Sequence, residues 1–86
     1  MKNRKLLAKA LRSSKNLRFS EALALAKAFG FRLSRTKGSH HIFVHPNIRE
    51  LVNLQEVDSK AKPYQVRQLL EIVERYNLEL VGEEGS

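Results

Sequence analysis

Apolar side chains recur at helical spacing in three parts of the chain, and between the second and third of these parts the pattern changes to that of strands. The helical spacing predicts a short amphipathic helix over residues 2–12, a second helix over residues 21–29 and a third that begins at Pro63. Ser20 is placed to cap the second helix at its N-terminus, and Gly30 is placed to end it. Each helix therefore has an apolar side that needs a partner to cover it.

The segment between the second and third helices has the features of a small antiparallel sheet. Residues 31–36 alternate between apolar and polar as a half-buried strand does, residues 40–45 contain a second apolar run, and residues 51–54 contain a third. Residues 37–39 are typical of a tight turn, and residues 56–62 are typical of a polar loop. The order α-α-β-β-β-α predicts an α+β fold, a two-layer sandwich in which a three-stranded antiparallel sheet carries the helices on one face.

Length and composition narrow the class of protein. The chain has 86 residues, which is room for one domain, and no cysteine, which excludes disulfides, iron–sulfur ligation and a cysteine nucleophile. Its positive charge lies at one end, because residues 1–45 contain eleven Lys and Arg and one acid, whereas residues 46–86 contain five Lys and Arg and eight acids. A cationic half suits a polyanion such as nucleic acid, although charge alone fits a merely soluble basic protein equally well.

The first twenty residues are basic, contain serine and lack acids. Such a composition is also typical of organellar transit segments, but the helical spacing favours a short basic helix. The apolar runs are too short for a membrane span or the core of a signal peptide, which predicts a cytoplasmic protein. We predict a basic helical extension over residues 1–17, one domain over residues 18–81 and a flexible tail over residues 82–86.

An internal Gly-Ser-His-His string opens the second predicted strand. Strand alternation sends His40 to one face of the sheet and His41, with His45, to the other, and the sequence does not show which face the helices cover. A metal site is disfavoured because the three imidazoles cannot converge, and no cofactor is predicted. A Ser-His-acid triad is disfavoured because Ser39 adjoins His40 and no orienting acid is evident. For each histidine a structural role stands beside a role in proton transfer near neutral pH.

A histidine next to cations is suited to a phosphodiester. Arg32, Arg35 and Lys37 lie on the same predicted hairpin as the histidine string. In RNA the 2′-hydroxyl is an internal nucleophile, so one base to accept its proton and cations to hold the phosphate suffice without a metal ion. The hairpin therefore favours a small ribonuclease.

Taken together, these motifs resemble those of the HicA toxins. The resemblance spans about residues 18–78 and is carried by Gly30-Phe31-Arg32-Leu33, by Lys37-Gly38-Ser39-His40-His41-Ile42-Phe43 with His45-Pro46, and by Lys62-Pro63 with Arg67 and Leu69-Leu70. Members of that family have a fold like that of a double-stranded-RNA-binding domain. The resemblance implies the same fold here, with a three-stranded sheet and two helices packed on one face.

The resemblance also implies an activity and a partner. The activity is that of an endoribonuclease that cleaves mRNA without a metal ion, with the histidine after Gly-Ser, His40, as the catalytic residue. His41 is the alternative, because a shift of one residue in register would exchange the two faces. Gly38 and Ser39 would shape the turn. The implied protein partner, in addition to RNA, is a HicB-type antitoxin that covers the active face.

Contacts to RNA are assigned by chemistry to two sets of cations. The first set is the hairpin cations Arg32, Arg35 and Lys37. The second set lies at the start of the last helix, where N–H groups and cations together favour anions, and consists of Lys60, Lys62 and Arg67. Solvated loop charges explain the second set equally well.

Two other functions remain open at the level of the sequence. A non-catalytic RNA-binding module of the same fold would use the basic face for shape and phosphate recognition. An interaction module would use the same charges to bind an acidic protein.

Overall fold

Helices and strands follow one another along the described part of the chain, residues 2–81 of the computed structural model, much as the pattern predicts. The elements are α1 (Lys2–Arg12), a 3₁₀ turn (Ser14–Asn16), α2 (Phe19–Ala28), β1 (Arg32–Lys37), β2 (His40–His45), β3 (Ile48–Val57), β4 (Lys60–Ala61) and α3 (Pro63–Arg75). The predicted first helix, the predicted second strand and the start of the last helix at Pro63 are confirmed. The predicted tail over residues 82–86 lies outside the described residues.

The strands form one antiparallel sheet in the order β1-β2-β3-β4. The α+β class and the three predicted strands are confirmed, and the structure adds a short fourth strand, β4, which pairs with the end of β3 through Glu56 with Ala61 and Val57 with Lys60. The polar loop predicted over residues 56–62 contains this strand, and the strand predicted over residues 51–54 is part of the longer β3. Backbone N–H and C=O groups pair whether or not the side chains are apolar, so the ladder continues past the apolar run.

A single core lies between one face of the sheet and the helices. Phe43, Val52 and Leu54 supply the sheet side, and Leu25 and Leu69 are among the fully buried side chains of the helices. Ala10 and Leu17 from the N-terminal segment are buried in the same core. The N-terminal segment is therefore packed into the core that supports the sheet, and the other face of the sheet has no helix on it within residues 2–81.

The start of α2 differs from the prediction. Arg18, not Ser20, is the N-cap, and Ser20 lies within the first turn. The backbone N–H of Phe19 donates to the carbonyl of Ser59 at 2.9 Å. This bond fixes the backbone at Phe19, one residue before Ser20, and the helix begins there. The Glu21 carboxylate accepts hydrogen bonds from Lys9 Nζ at 2.9 Å and from the Arg18 N–H at 3.0 Å. These bonds, chiefly that from Lys9, lower the pKa of Glu21 and join α1 to α2.

The end of α2 is the one predicted. Gly30 has a φ of +92°, which side chains other than glycine rarely adopt. The N–H of Phe31 donates to the carbonyl of Ala26 at 3.1 Å and that of Gly30 donates to Lys27 at 3.0 Å, which is the Schellman arrangement. A Cβ added to Gly30 would lie 3.0 Å from Nε2 of His45, so a side chain here would also require the His45 ring to shift.

The N-terminus of α3 is tied to β3 where the short β4 ends. Gln65 is a buried polar side chain, and its Oε1 accepts a hydrogen bond of 2.6 Å from the N–H of Gln55. This N–H points away from β2, and β4 is too short to pair with it. The amide thus satisfies a backbone donor that would otherwise be buried without a partner, and it places the start of α3 at the end of the sheet that carries His40.

We expect Ser59→Gly to stabilise the protein. Asp58 and Ser59, in the β3–β4 turn, both have positive φ, 53° and 67°, and such a conformation costs an L-residue about 1–2 kcal/mol that glycine avoids. Glycine also raises the conformational entropy of the unfolded chain, which offsets part of this stabilisation. The free energy of unfolding should therefore rise by about 1 kcal/mol. Urea denaturation measures the change. Ser20→Gly, on the exposed first turn of α2, is the matched control and should lower it by up to about 1 kcal/mol; a lower midpoint for both variants would contradict the prediction.

Candidate active site

The side chains of β2 divide between the two faces of the sheet. Phe43 is 0% exposed and lies in the core. Because successive side chains of a strand alternate, His41 and His45 lie on the face with the helices, and His40 lies on the other face with Ile42 and Val44. We call that other face, which includes His40 and Asn53, the open face. The question that the sequence left open, which histidine faces away from the helices, is thereby answered for His40.

His41 and His45 both make contacts within the fold. The ring of His41 lies edge-on to Phe19 with 4.9 Å between ring centroids, and its Nδ1 lies 3.3 Å from the carbonyl of Ser39. The ring of His45 lies edge-on to Phe31 at 5.1 Å, and Nδ1 of His45 accepts the N–H of Asn47 at 3.1 Å. The three imidazoles therefore do not converge, and within residues 3–81 no three His, Asp or Glu side chains are grouped to hold a metal ion.

His40 has a side-chain partner that the sequence did not reveal. Its Nδ1 lies 3.3 Å from Oδ1 and 3.2 Å from Nδ2 of Asn53 on the neighbouring strand. With the amide oxygen toward the ring, Nδ1–H donates and Nε2 keeps a free lone pair; with the amide turned over, Nε2 carries the proton. With the amide oxygen toward the ring, the contact therefore holds the imidazole as a base at Nε2, which is directed away from Asn53.

Asn53 could have been singled out only in part from the sequence. It is a polar side chain between the buried Val52 and Leu54, so strand alternation places it opposite the core. What the sequence does not show is the register that pairs Asn53 with Ile42, two residues along β2 from His40 and on the same face. Without that register, no partner for the imidazole can be named.

A two-residue turn sets the position of His40 at the start of β2. Lys37 and His40 are cross-strand partners, and Gly38 and Ser39 lie between them. Gly38 has a φ of +61° and Ser39 does not have a positive φ, as in a type II′ turn, which takes glycine at its first position. The carbonyl of Ser39 accepts the N–H of Glu56 at 3.3 Å, so the turn is bonded to β3 as well.

A β-bulge brings the three cations of β1 to the open face. Lys37 pairs with His40, Arg35 with Ile42 and Arg32 with Val44, while an irregularity between Leu33 and Arg35 inserts Ser34. Directly paired residues of an antiparallel ladder project to the same side, so all three cations share the face of His40. Strict alternation would have put Arg32 and Arg35 on opposite faces, and the sequence gives no sign of the bulge.

β1 itself is not the half-buried strand that its alternation predicts. All six of its residues are exposed, including Leu33 at 44%. The strand lies at the edge of the sheet, beyond the reach of the helices that cover β2 and β3. Charged side chains and a bulge on such an edge also hinder the pairing of the strand with other chains.

The second set of predicted cations lies on β4 and at the start of α3. Lys60, on β4, pairs with Val57 of β3, and Lys62 is the N-cap of α3. Nη1 of Arg67 lies 3.5 Å from Oγ of Ser14. Within residues 3–81 the ion pairs are Lys9 with Glu21 and Arg75 with Glu50. None of the six predicted RNA-binding cations is therefore neutralised by a carboxylate in that part of the chain.

A comparison with protein families identifies the kind of protein. Residues 19–74 match the family described as "HicA toxin of bacterial toxin-antitoxin". The chain belongs to the HicA toxin family. The expectation drawn from the sequence motifs is confirmed, and membership in this family implies an antitoxin as protein partner. Comparison with curated proteins and with solved structures found no match.

The HicA match covers the elements from the start of α2 to the last turn of α3. It includes His40, Asn53 and both predicted sets of cations. It does not include α1 or the 3₁₀ turn, although both contribute to the molecule's surface. Among residues 2–81, no helix has the length and apolar character that a membrane span requires.

Proposed function

We propose that this HicA-family toxin is an endoribonuclease that cleaves mRNA, with His40 as general base and without a metal ion. One observation carries the proposal: His40 lies on the open face among the cations of β1, with Nδ1 held by Asn53 and Nε2 directed away from it. Membership in the HicA family supports the same activity. The cytoplasm, where mRNA is found, is the proposed location.

The proposed reaction uses the 2′-hydroxyl of RNA as nucleophile. Nε2 of His40 accepts the proton of the 2′-hydroxyl while the 2′ oxygen bonds to the adjacent phosphorus. The bond from phosphorus to the 5′ oxygen of the next nucleotide breaks, and that oxygen takes up a proton from water. The products are a 2′,3′-cyclic phosphate and a 5′-hydroxyl. Arg35 and Lys37, paired with Ile42 and His40, are the cations placed to stabilise the extra negative charge on the phosphate.

The proposed protein partner is a HicB-type antitoxin that covers the open face. Leu51 is 54% exposed there, and Ile42 and Val44 are half-buried. An apolar strip next to His40, with cations along one side, offers both buried area and charge to such a partner. Binding there would exclude RNA from His40.

An RNA cleavage assay tests the proposed activity. Purified protein is incubated with one structured transcript in the presence of EDTA, and the ends of the products are analysed. Cleavage that leaves 2′,3′-cyclic phosphate ends is the expected result. RNA that is bound but stays intact, with or without added Mg²⁺, would instead identify a non-catalytic RNA-binding module.

We expect Asn53 to act as a positioning residue for His40. Asn53→Ala should lower kcat for cleavage about tenfold with little change in KM, because the imidazole loses the bond that orients it but the RNA contacts remain. Asn53→Asp places a carboxylate beside the ring and favours its protonated form, so the acidic limb of the pH–rate profile should move up by about one pH unit. Leu51→Ala, on the same face and strand, is the control. A profile that does not move in Asn53→Asp would contradict this role.

A further inference from the structure

Two grooves with one lining residue in common lie beside α3. The first has a volume of about 400 Å³ and lies between the end of α1 and α3. Arg12, Lys15 and Arg67 line it, together with the hydroxyl-bearing Ser13 and Ser14. The second, of about 360 Å³, lies beside the β3–β4 turn and the start of α3.

The second groove is cationic too, and it shares a lining residue with the first. Lys60 and Lys62 line it, and Lys15 lines both grooves. We call the combined surface, which carries Arg12, Lys15, Lys60, Lys62 and Arg67, the cationic track.

Positive charge exceeds negative charge along the cationic track. Asp58 is the acidic residue among those that line the two grooves. None of the five cations takes part in an ion pair within residues 3–81. Like charges held side by side repel one another, and the repulsion is relieved when a polyanion replaces the bound counterions.

The N-terminus of α3 adds to this field. Lys62 is the N-cap, Pro63 occupies the first turn, and no acidic side chain lies in that turn to offset the positive end of the helix dipole. The start of α3 is also close in the fold to the His40 end of the sheet, because Gln65 bonds to Gln55, the cross-strand partner of His40.

We propose that the cationic track binds the ribose-phosphate backbone of the RNA substrate beyond the cleaved phosphodiester. This inference rests on the proposed function, since it adds a second stretch of contact to the same RNA. Guanidinium groups of Arg12 and Arg67 would bind phosphate oxygens. Oγ of Ser14 accepts a hydrogen bond of 3.5 Å from Nη1 of Arg67. The hydroxyl hydrogen of Ser14 can therefore be donated to a phosphate.

The form of the track favours a long polyanion over a single small anion. Its cations are divided between two grooves that share Lys15, and they do not all line one pocket, as a site for a single free phosphate would require. A nucleic acid backbone carries a charge at every nucleotide and matches such a series. Arg12 and Lys15 precede the segment that matches the HicA family, so their part of this contact would be a property of the N-terminal extension of this chain.

Binding measurements on a charge-matched pair of variants test the proposal. The track variant is Arg12→Gln/Lys15→Gln/Arg67→Gln; the control is Arg4→Gln/Lys5→Gln/Lys27→Gln, which removes three exposed cations outside the grooves. The probe is a 2′-O-methyl RNA, which lacks the hydroxyl needed for cleavage, and its affinity is measured from about 0.05 to about 0.3 M salt. Polyglutamate of equal charge is the second probe.

The track variant should lose salt dependence as well as affinity. For three lost phosphate contacts, the slope of log K against log salt should become shallower by about 2, and the affinity at about 0.1 M salt should fall about 100-fold. The control should differ from wild type by less than about 0.5 in slope. Equal losses in both variants would overturn the proposal, and so would a loss confined to polyglutamate, which would assign the track to an acidic polypeptide. Cleavage of unmodified RNA by wild type is followed in parallel, so that failure of the track and failure of the proposed nuclease are distinguished.

Discussion

His40→Ala is expected to lower the rate of RNA cleavage by about 10²–10⁴-fold, the usual contribution of one positioned general base. His40 is half-buried on the open face and lies outside the core. Its removal leaves Asn53 free to bond to water, so the free energy of unfolding should change by less than about 1 kcal/mol. Cleavage rates under single-turnover conditions and urea denaturation of the same preparation measure the two quantities.

His41→Ala is the matched control for this first prediction. It removes the imidazole at the next position on β2, on the opposite face of the sheet, where the ring contacts Phe19 of α2. We expect it to lower the free energy of unfolding by about 1 kcal/mol through the lost ring contact, while the cleavage rate at 25 °C stays within about threefold of wild type. Loss of cleavage in His41→Ala with full activity in His40→Ala would exchange the proposed roles of the two residues.

Phe43→Ala is expected to lower the free energy of unfolding by about 3–5 kcal/mol, because it leaves a cavity in the core. Phe43 is among the largest of the fully buried side chains, and it holds the middle of β2 against the helices. The free energy of unfolding of a domain of this size is small, so the variant should be partly unfolded at 37 °C. Urea and thermal denaturation measure the loss.

Val44→Ala is the control for this second prediction. Val44 is the next residue of β2, half-buried on the open face, and its loss should cost about 1 kcal/mol or less. A similar loss in both variants would contradict the assignment of the faces. It would also weaken the argument that Phe43, by fixing one face of β2, turns His40 toward the other.

The sequence predicts best where one or two residues decide the local backbone. Gly30 ends α2 because glycine can adopt a positive φ, and Pro63 begins α3 because its fixed φ suits the first turn of a helix. β2 was predicted with the correct bounds, since its apolar run is flanked by a glycine turn and by Pro46.

The sequence predicts poorly where backbone pairing over a distance decides the outcome. β4 exists because Glu56 and Val57 have open backbone groups that Lys60 and Ala61 can pair with, not because its side chains are apolar. The N-cap of α2 is Arg18 and not the predicted Ser20 for a similar reason. The backbone N–H of Phe19 donates to the carbonyl of Ser59, which is distant in sequence.

The candidate site divides in the same way. The turn that contains Gly38 could be predicted from the sequence, and so could the placement of His40 and His41 on opposite faces, because both follow from local rules. Asn53 as the partner of His40 could not be predicted, since it requires the register between β2 and β3. Nor could the bulge at Ser34 that places Arg32 and Arg35 on one side.

The uncovered face of the sheet has a consequence for how such a toxin is restrained. Within residues 3–81, His40 lies on the face of β2 opposite the buried Phe43. Under the proposed function, an antitoxin that covers this face would block His40 simply by occupying it, so it would have to be present in at least equal number. A shortfall of antitoxin would then leave a matching number of faces open.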